Sequence, residues 1–171
     1  MPNEILSKYT AADTLTFGTH IDGLSGSGGA AWCAPETTAA TGPGYPLVRV
    51  FYSIKMGTTA PTAGTVVKFY IARGDGTTNI RTGSTISTNS TTAAGSETTV
   101  ATVDRFEAQA GEDFRKALVA DAVTGVTYTG SFEVQEPGSD WQIVIVNDAA
   151  ALATTTGSHS LTYEYLNPQV Q

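Results

Sequence analysis

The run Asp140-Trp-Gln-Ile-Val-Ile-Val-Asn147 decides the fold class. Period-two alternation sends Trp141, Ile143 and Ile145 to one side and Val144 and Val146 to the other, so both faces are apolar and must be covered. The run is too short for a stable helix and is rich in β-branched residues, which selects a central β-strand. Pro137-Gly138-Ser139 before it and Asn147-Asp148 after it punctuate its ends. Upstream, Val126, Tyr128, Phe132 and Val134 alternate with Thr127, Thr129, Ser131 and Glu133, giving one apolar face and one wet face. Gly130 interrupts the apolar face and predicts a bulge or the close approach of another backbone. Glu136-Pro-Gly-Ser-Asp140 has hairpin chemistry, Pro presetting one φ and Gly accepting a positive one, so these two strands are expected to pair antiparallel.

The same alternation recurs outward from this pair. Leu47 to Met56 sets Val48, Val50, Tyr52, Ile54 and Met56 against Arg49, Phe51, Ser53 and Lys55. Thr65 to Arg73 turns Val67, Phe69 and Ile71 inward, and together these two segments make a hairpin or a crossing between sheets. Ser160 to Leu166 places Leu161, Tyr163 and Tyr165 on one face. Thr98 to Val103 reads as a further strand, and Ser84 to Ser96, almost without apolar residues, as an exposed loop or edge hairpin. Asp104 to Asp121 is ambiguous, with a short helix or loop expected through Gly111 and a strand after it. About eight strands at regular spacing predict an all-β, antiparallel two-sheet sandwich of jelly-roll type.

Residues 1–45 fit this pattern least. Leu15-Thr-Phe17 alternates briefly, and a Gly/Ser/Ala run follows from Asp22 to Ala31. Small polar residues in a row bury little, so the segment is expected to be an extended N-terminal arm or edge segment with one or two short strands, anchored by Trp32. Such an arm gains order by lying on a neighbouring subunit. Residues 46–171 would be the sandwich itself.

The totals narrow the function classes. A chain of 171 residues with 40% hydrophobic content supports one domain with a core, and 18 glycines with only 15% charged residues suit short strands and turns. The net charge is −7 and no Lys/Arg cluster is interleaved with aromatics, so no nucleic-acid partner is expected. The first residues lack the basic start and apolar run of a secretory signal, and no segment approaches a membrane span of roughly 18 apolar residues. The expectation is a chain that stays in solution in the cytoplasm, with no membrane partner. Cys33 is the single cysteine, which excludes an intrachain disulfide and reads as a small buried hydrophobe.

Each candidate motif has a plain structural alternative that is preferred. Arg73-Gly74-Asp75 matches an adhesion tripeptide but is also ordinary turn chemistry. Asp75, Asn79, Glu133, Glu136 and Asp140 lack the ordered spacing of a calcium loop, and a Glu133/Glu136 or Glu136/Asp140 pair on a turn makes a poor glycosidase dyad. Ser158-His159-Ser160 with Asp148 suggests a hydrolase triad without a nucleophile elbow. Gly23 to Gly29 has neither the Lys-Ser/Thr nor the helix of a phosphate loop, and Asn89-Ser-Thr91 is a sequon by pattern only. No catalytic, cofactor or metal site is expected, and the chain is read as a binding protein rather than an enzyme.

A family resemblance rests on particular segments. Val66-Val-Lys-Phe-Tyr-Ile-Ala-Arg-Gly-Asp75, Tyr128-Thr-Gly-Ser-Phe132, Pro137-Gly-Ser-Asp-Trp-Gln-Ile-Val-Ile-Val-Asn147-Asp148, and His159 before the last strand resemble small structural proteins of tailed bacteriophages. The likeness covers residues 48–165. It implies a β-sandwich, a place on the virion, and a role as a capsid decoration or cement protein that binds the major capsid protein and ties the lattice together as a homotrimer or dimer. Phe51, Tyr70, Val144 and Val146, apolar and opposite the presumed core, are the candidate subunit interface, unless they only cover the second sheet of the monomer. The rival is a tail or fibre module that binds host-surface carbohydrate, using an exposed aromatic such as Trp32 or Tyr45.

Overall fold

The computed structural model describes residues 5–26, 28–37, 47–74, 80–81, 95–97, 114–137 and 140–170. The described residues form strands and no helix: β1 (Ile5–Tyr9), β2 (Asp13–Thr14), β3 (Gly29–Trp32), β4 (Glu36–Thr37), β5 (Leu47–Lys55), β6 (Val66–Gly74), β7 (Ile80–Arg81), β8 (Gly95–Glu97), β9 (Phe114–Val119), β10 (Thr127–Gln135), β11 (Asp140–Asn147) and β12 (Ser160–Val170). The first sheet runs β1-β12-β5-β10, with β2 also beside β12; the second runs β7-β6-β11-β3-β8, with β4 beside β11 and β9 beside β6. All pairings are antiparallel.

The pairings are nested. β1 pairs with β12, β3 with β11, β5 with β10 and β6 with β9. The chain is thus one long hairpin rolled up so that these pairs alternate between two facing sheets, which is the eight-strand jelly roll. The expected all-β sandwich of jelly-roll type is the fold observed.

The expected hairpin between the strands on either side of Pro137 does not form. β10 pairs with β5 over nine residues, Thr127 opposite Lys55 through Gln135 opposite Leu47, while β11 lies in the other sheet between β6 and β3. The physical reason lies in β11 itself. Beside β10 it would line up Val144 and Val146 with the wet face of Thr129, Ser131 and Glu133. In the second sheet both its faces are covered. The turn that carries the crossing includes Glu136 with φ of 48°, and Arg73 bridges to it from β6, donating from Nε to Glu136 O (3.1 Å) and from Nη2 to Gln135 O (3.3 Å). Likewise β5 and β6 form a crossing between sheets, not a hairpin.

Between the sheets lies one core. Trp141, Ile143 and Ile145 of β11 and Phe69 and Ile71 of β6 face Val48, Val50, Tyr52 and Ile54 of β5 and Phe132 and Val134 of β10. At one end the rings of Trp141, Tyr163 and Tyr165 meet edge to face, with centroids 5.2 to 6.5 Å apart, and the Trp141 indole donates to Tyr165 Oη (3.2 Å). Further along, Tyr52, Phe69 and Phe132 stack tilted at 4.8 to 6.4 Å.

Of the two expectations for the N-terminal segment, the edge segment with short strands holds for β1, which among the described residues is the outermost strand of the first sheet. The arm is corrected over the described residues: Leu15, Phe17, Ile21, Leu24, Ala31 and Cys33 belong to the main core, and β3 is interior between β11 and β8. Small residues serve close packing here. A Cβ on Gly26 would run into the carbonyl oxygen of Ala149. The fully buried Asn147 fastens the same place, its amide donating to the carbonyls of Leu24 (3.0 Å), Ser25 (3.2 Å) and Ala150 (2.9 Å) while its Oδ1 accepts from Ala149 N (3.1 Å). The ambiguous segment after Asp104 is strand β9 from Phe114 onward, and the expected strand at Thr98 to Val103 lies outside the described residues.

No bulge occurs at Gly130, whose register with β5 is unbroken. The close approach is by a ring: a Cβ on Gly130 would lie 2.5 Å from Oη and 2.7 Å from Cζ of Tyr52, its cross-strand partner. Since Tyr52 is held by Phe69 and Phe132, Gly130→Ala should cost about 1–3 kcal/mol in urea unfolding, as overpacking does. The cost should shrink in a Tyr52→Val background, where the ring is gone.

Candidate interaction surface

The four residues read from sequence as one subunit contact lie on two opposite outer faces. Tyr70, Val144 and Val146 share the outer face of the second sheet with Ala30, Trp32 and Ala72 in a second apolar cluster. Their exposures are 3%, 0% and 0%, so they are covered within the single chain. The Phe114 ring meets Tyr70 edge-on at 5.7 Å. Phe51 lies on the outer face of the first sheet, between Ser131 and Thr162 in register, and is 37% exposed. Phe51 is therefore the one member of the four open to a partner.

Around Phe51 the face is polar. Arg49, two residues back on β5, bonds Glu133 of β10 through Nη2 (2.9 Å), lies 3.8 Å from Glu164 of β12, and sits 4.7 Å above the exposed Tyr9 ring. The outward positions of three neighbouring strands are thereby linked through one guanidinium. Alternation makes Arg49 simply an outward residue of β5; its network exists because β10 and β12 each bring a glutamate beside it.

The groups with chemical potential are engaged in structure. His159 accepts from Lys55 N at Nδ1 (3.3 Å), which leaves the proton on Nε2 to donate to Ala153 O (2.9 Å). Asp148 pairs with Lys68 at 2.7 Å, so the residues of the supposed triad are not assembled. Glu133 is held by Arg49, and among the described residues no three His, Cys, Asp or Glu side chains group to hold a metal. Asp75, Asn79, Asn89, Tyr45 and the Asp140 side chain lie outside the described residues. Trp32, the other aromatic suggested for a sugar, is 7% exposed. An open cleft of about 410 Å³ lies at one end of the sandwich, where Met56 to Thr59, Thr124-Gly125 and Ala151 to Thr155 meet.

Cys33 is fully buried, and its Sγ accepts from Ile143 N at 3.2 Å. Burial pushes its thiol up to about 12. Glu36 is half-buried and accepts from Tyr163 Oη at 2.8 Å. Burial raises its carboxyl above the ordinary 4.5, against the lowering effect of the Tyr163 hydrogen bond, and nearby Asp13 raises it further. The burial of Cys33 was legible in sequence, but neither residue's hydrogen-bond partner was, because both partners come from strands far along the chain.

No protein-family model and no curated protein matches this chain. No helix among the described residues is long and apolar enough to cross a membrane.

Two outcomes follow from these environments. Native protein should leave Cys33 unreacted with a thiol reagent at pH 8, whereas unfolded protein reacts fully; mass spectrometry after labelling reads both. Glu36 has a folded value above its unfolded one, so its contribution to stability is present below pH 4.5 and is lost as the pH rises through the raised value. Glu36→Gln should accordingly melt higher than the wild type at pH 7 to 8, with the gap closing as the pH is lowered towards 4 in calorimetry.

Proposed function

We propose that the protein is a virion structural protein, a capsid decoration or cement protein that binds the major capsid protein lattice and stabilises the head. One observation carries this reading. The segments that resemble tailed-phage structural proteins fall in order on β6, β10 and β11, with His159 just before β12, within a jelly roll, an architecture that recurs in viral capsids.

In this reading the protein acts by contact. The outer face of the first sheet, with exposed Phe51 and Tyr9 flanking Arg49, is the surface offered to the lattice. An apolar ring rimmed by hydrogen-bonding side chains is the usual make-up of such a contact. The chain would act as a homo-oligomer on the capsid surface.

A second reading, a tail or fibre module binding host-surface carbohydrate, is favoured by the end cleft, whose rim carries Thr58, Thr59, Thr124, Thr154 and Thr155. Jelly rolls also serve as lectin domains. Quantitative mass spectrometry of purified virions separates the two. Copies on the order of the major capsid protein's are expected; a handful per particle would overturn the lattice role and place the chain in the tail.

A further inference from the structure

β10 is the outermost strand of the first sheet among the described residues, paired with β5 on one side and with no described strand on the other. The direction of the backbone groups along its outer edge follows from its neighbour. Lys55 O accepts from Ala153 N and Lys55 N donates to His159 Nδ1, so the odd residues of β5 turn their backbone towards β12. Met56 N donates to Val126 O, so the even residues turn towards β10. Antiparallel alternation then bonds Tyr128, Gly130, Phe132 and Val134 to β5, and leaves the N–H and C=O groups of Thr127, Thr129, Ser131 and Glu133 pointing out from the sheet. The next group in the row, Gln135 O, is taken by Arg73.

Natural edges of this length usually carry a proline, a lysine, a bulge or an inward charge that discourages a further strand. β10 has none of these from Thr127 to Gln135. Its inward side chains are Tyr128, Gly130, Phe132 and Val134, its register is unbroken, and its one charge, Glu133, is bound by Arg49. Its outward side chains, Thr127, Thr129, Ser131, Glu133 and Gln135, are all exposed.

We propose that this edge pairs antiparallel with the same edge of a second copy, across a two-fold axis at Ser131, joining the two first sheets into one. That register uses all nine residues and sets Ser131 opposite Ser131, Thr129 opposite Glu133 and Thr127 opposite Gln135, so that residues with outward-pointing backbone groups meet one another. No like charges face each other, and each Glu133 meets a hydroxyl. An axis at Glu133 would instead oppose two carboxylates and pair fewer residues. The proposal specifies the self-contact in the reading above and rests on that reading only in taking the partner to be this chain itself.

Light scattering of the purified full-length chain, without capsids, tests it. The wild type should have twice the chain mass. Ser131→Lys and Ser131→Glu each set like charges face to face at the axis but lie on an exposed position of the monomer. Each alone should weaken the dimer by about tenfold or more, and their equimolar mixture should restore it. A monomeric wild type at about 100 µM overturns the proposal, as does a mixture no more dimeric than its components. The wild-type mass decides even if a variant fails to fold. A monomer here leaves the virion copy number untouched, and a low copy number leaves the dimer untouched, so the two readings fail separately.

Discussion

The structure depends on the requirement that β11 be covered on both sides. A strand with Trp141, Ile143 and Ile145 on one face and Val144 and Val146 on the other can rest only in the interior of a sheet that is itself packed on both faces. β6 and β3 flank it, the first sheet covers its inner face, and a second apolar cluster lies on its outer face. The nested pairing meets this demand by setting β11 between β6 and β3 in the second sheet. Moving β10 to the other sheet follows from the same demand, because β10 has only one face to bury.

The two outer faces therefore differ in kind. On the first sheet, Arg49, Glu133, Glu164 and Tyr9 make an ordered polar surface with Phe51 exposed among them. On the second, Tyr70, Val144 and Val146 are withdrawn from solvent. An apolar outward residue can thus mean opposite things on the two sheets. Strand parity shows that such a residue faces away from the main core, and cannot show whether something else lies over it.

Close packing explains why the N-terminal segment reads poorly from sequence. Its glycines and alanines contribute little apolar area, the usual basis for predicting that a segment is held in place. They let backbone approach backbone instead, and Asn147 supplies hydrogen bonds to carbonyls more than a hundred residues away in sequence. A buried asparagine at the end of an apolar strand looks like a turn signal until its partners are seen. Gly130 is similar: the gap in an apolar face was legible, but the ring that fills it comes from β5.

The sequence by itself determined the all-β class and the inward and outward parity of β5, β6, β10, β11 and β12, because period-two alternation is a local property that each strand carries alone. It also determined the burial of Cys33, because an unpaired cysteine behaves as a small hydrophobe. Only the tertiary structure decided which strands pair. Turn chemistry at Pro137 is equally compatible with a hairpin and with a crossing between sheets, and the choice is made by which placement covers every apolar face. The engagement of His159, Glu36 and Arg49 was likewise decided in three dimensions, since each meets partners that the rolled chain delivers from far along its length.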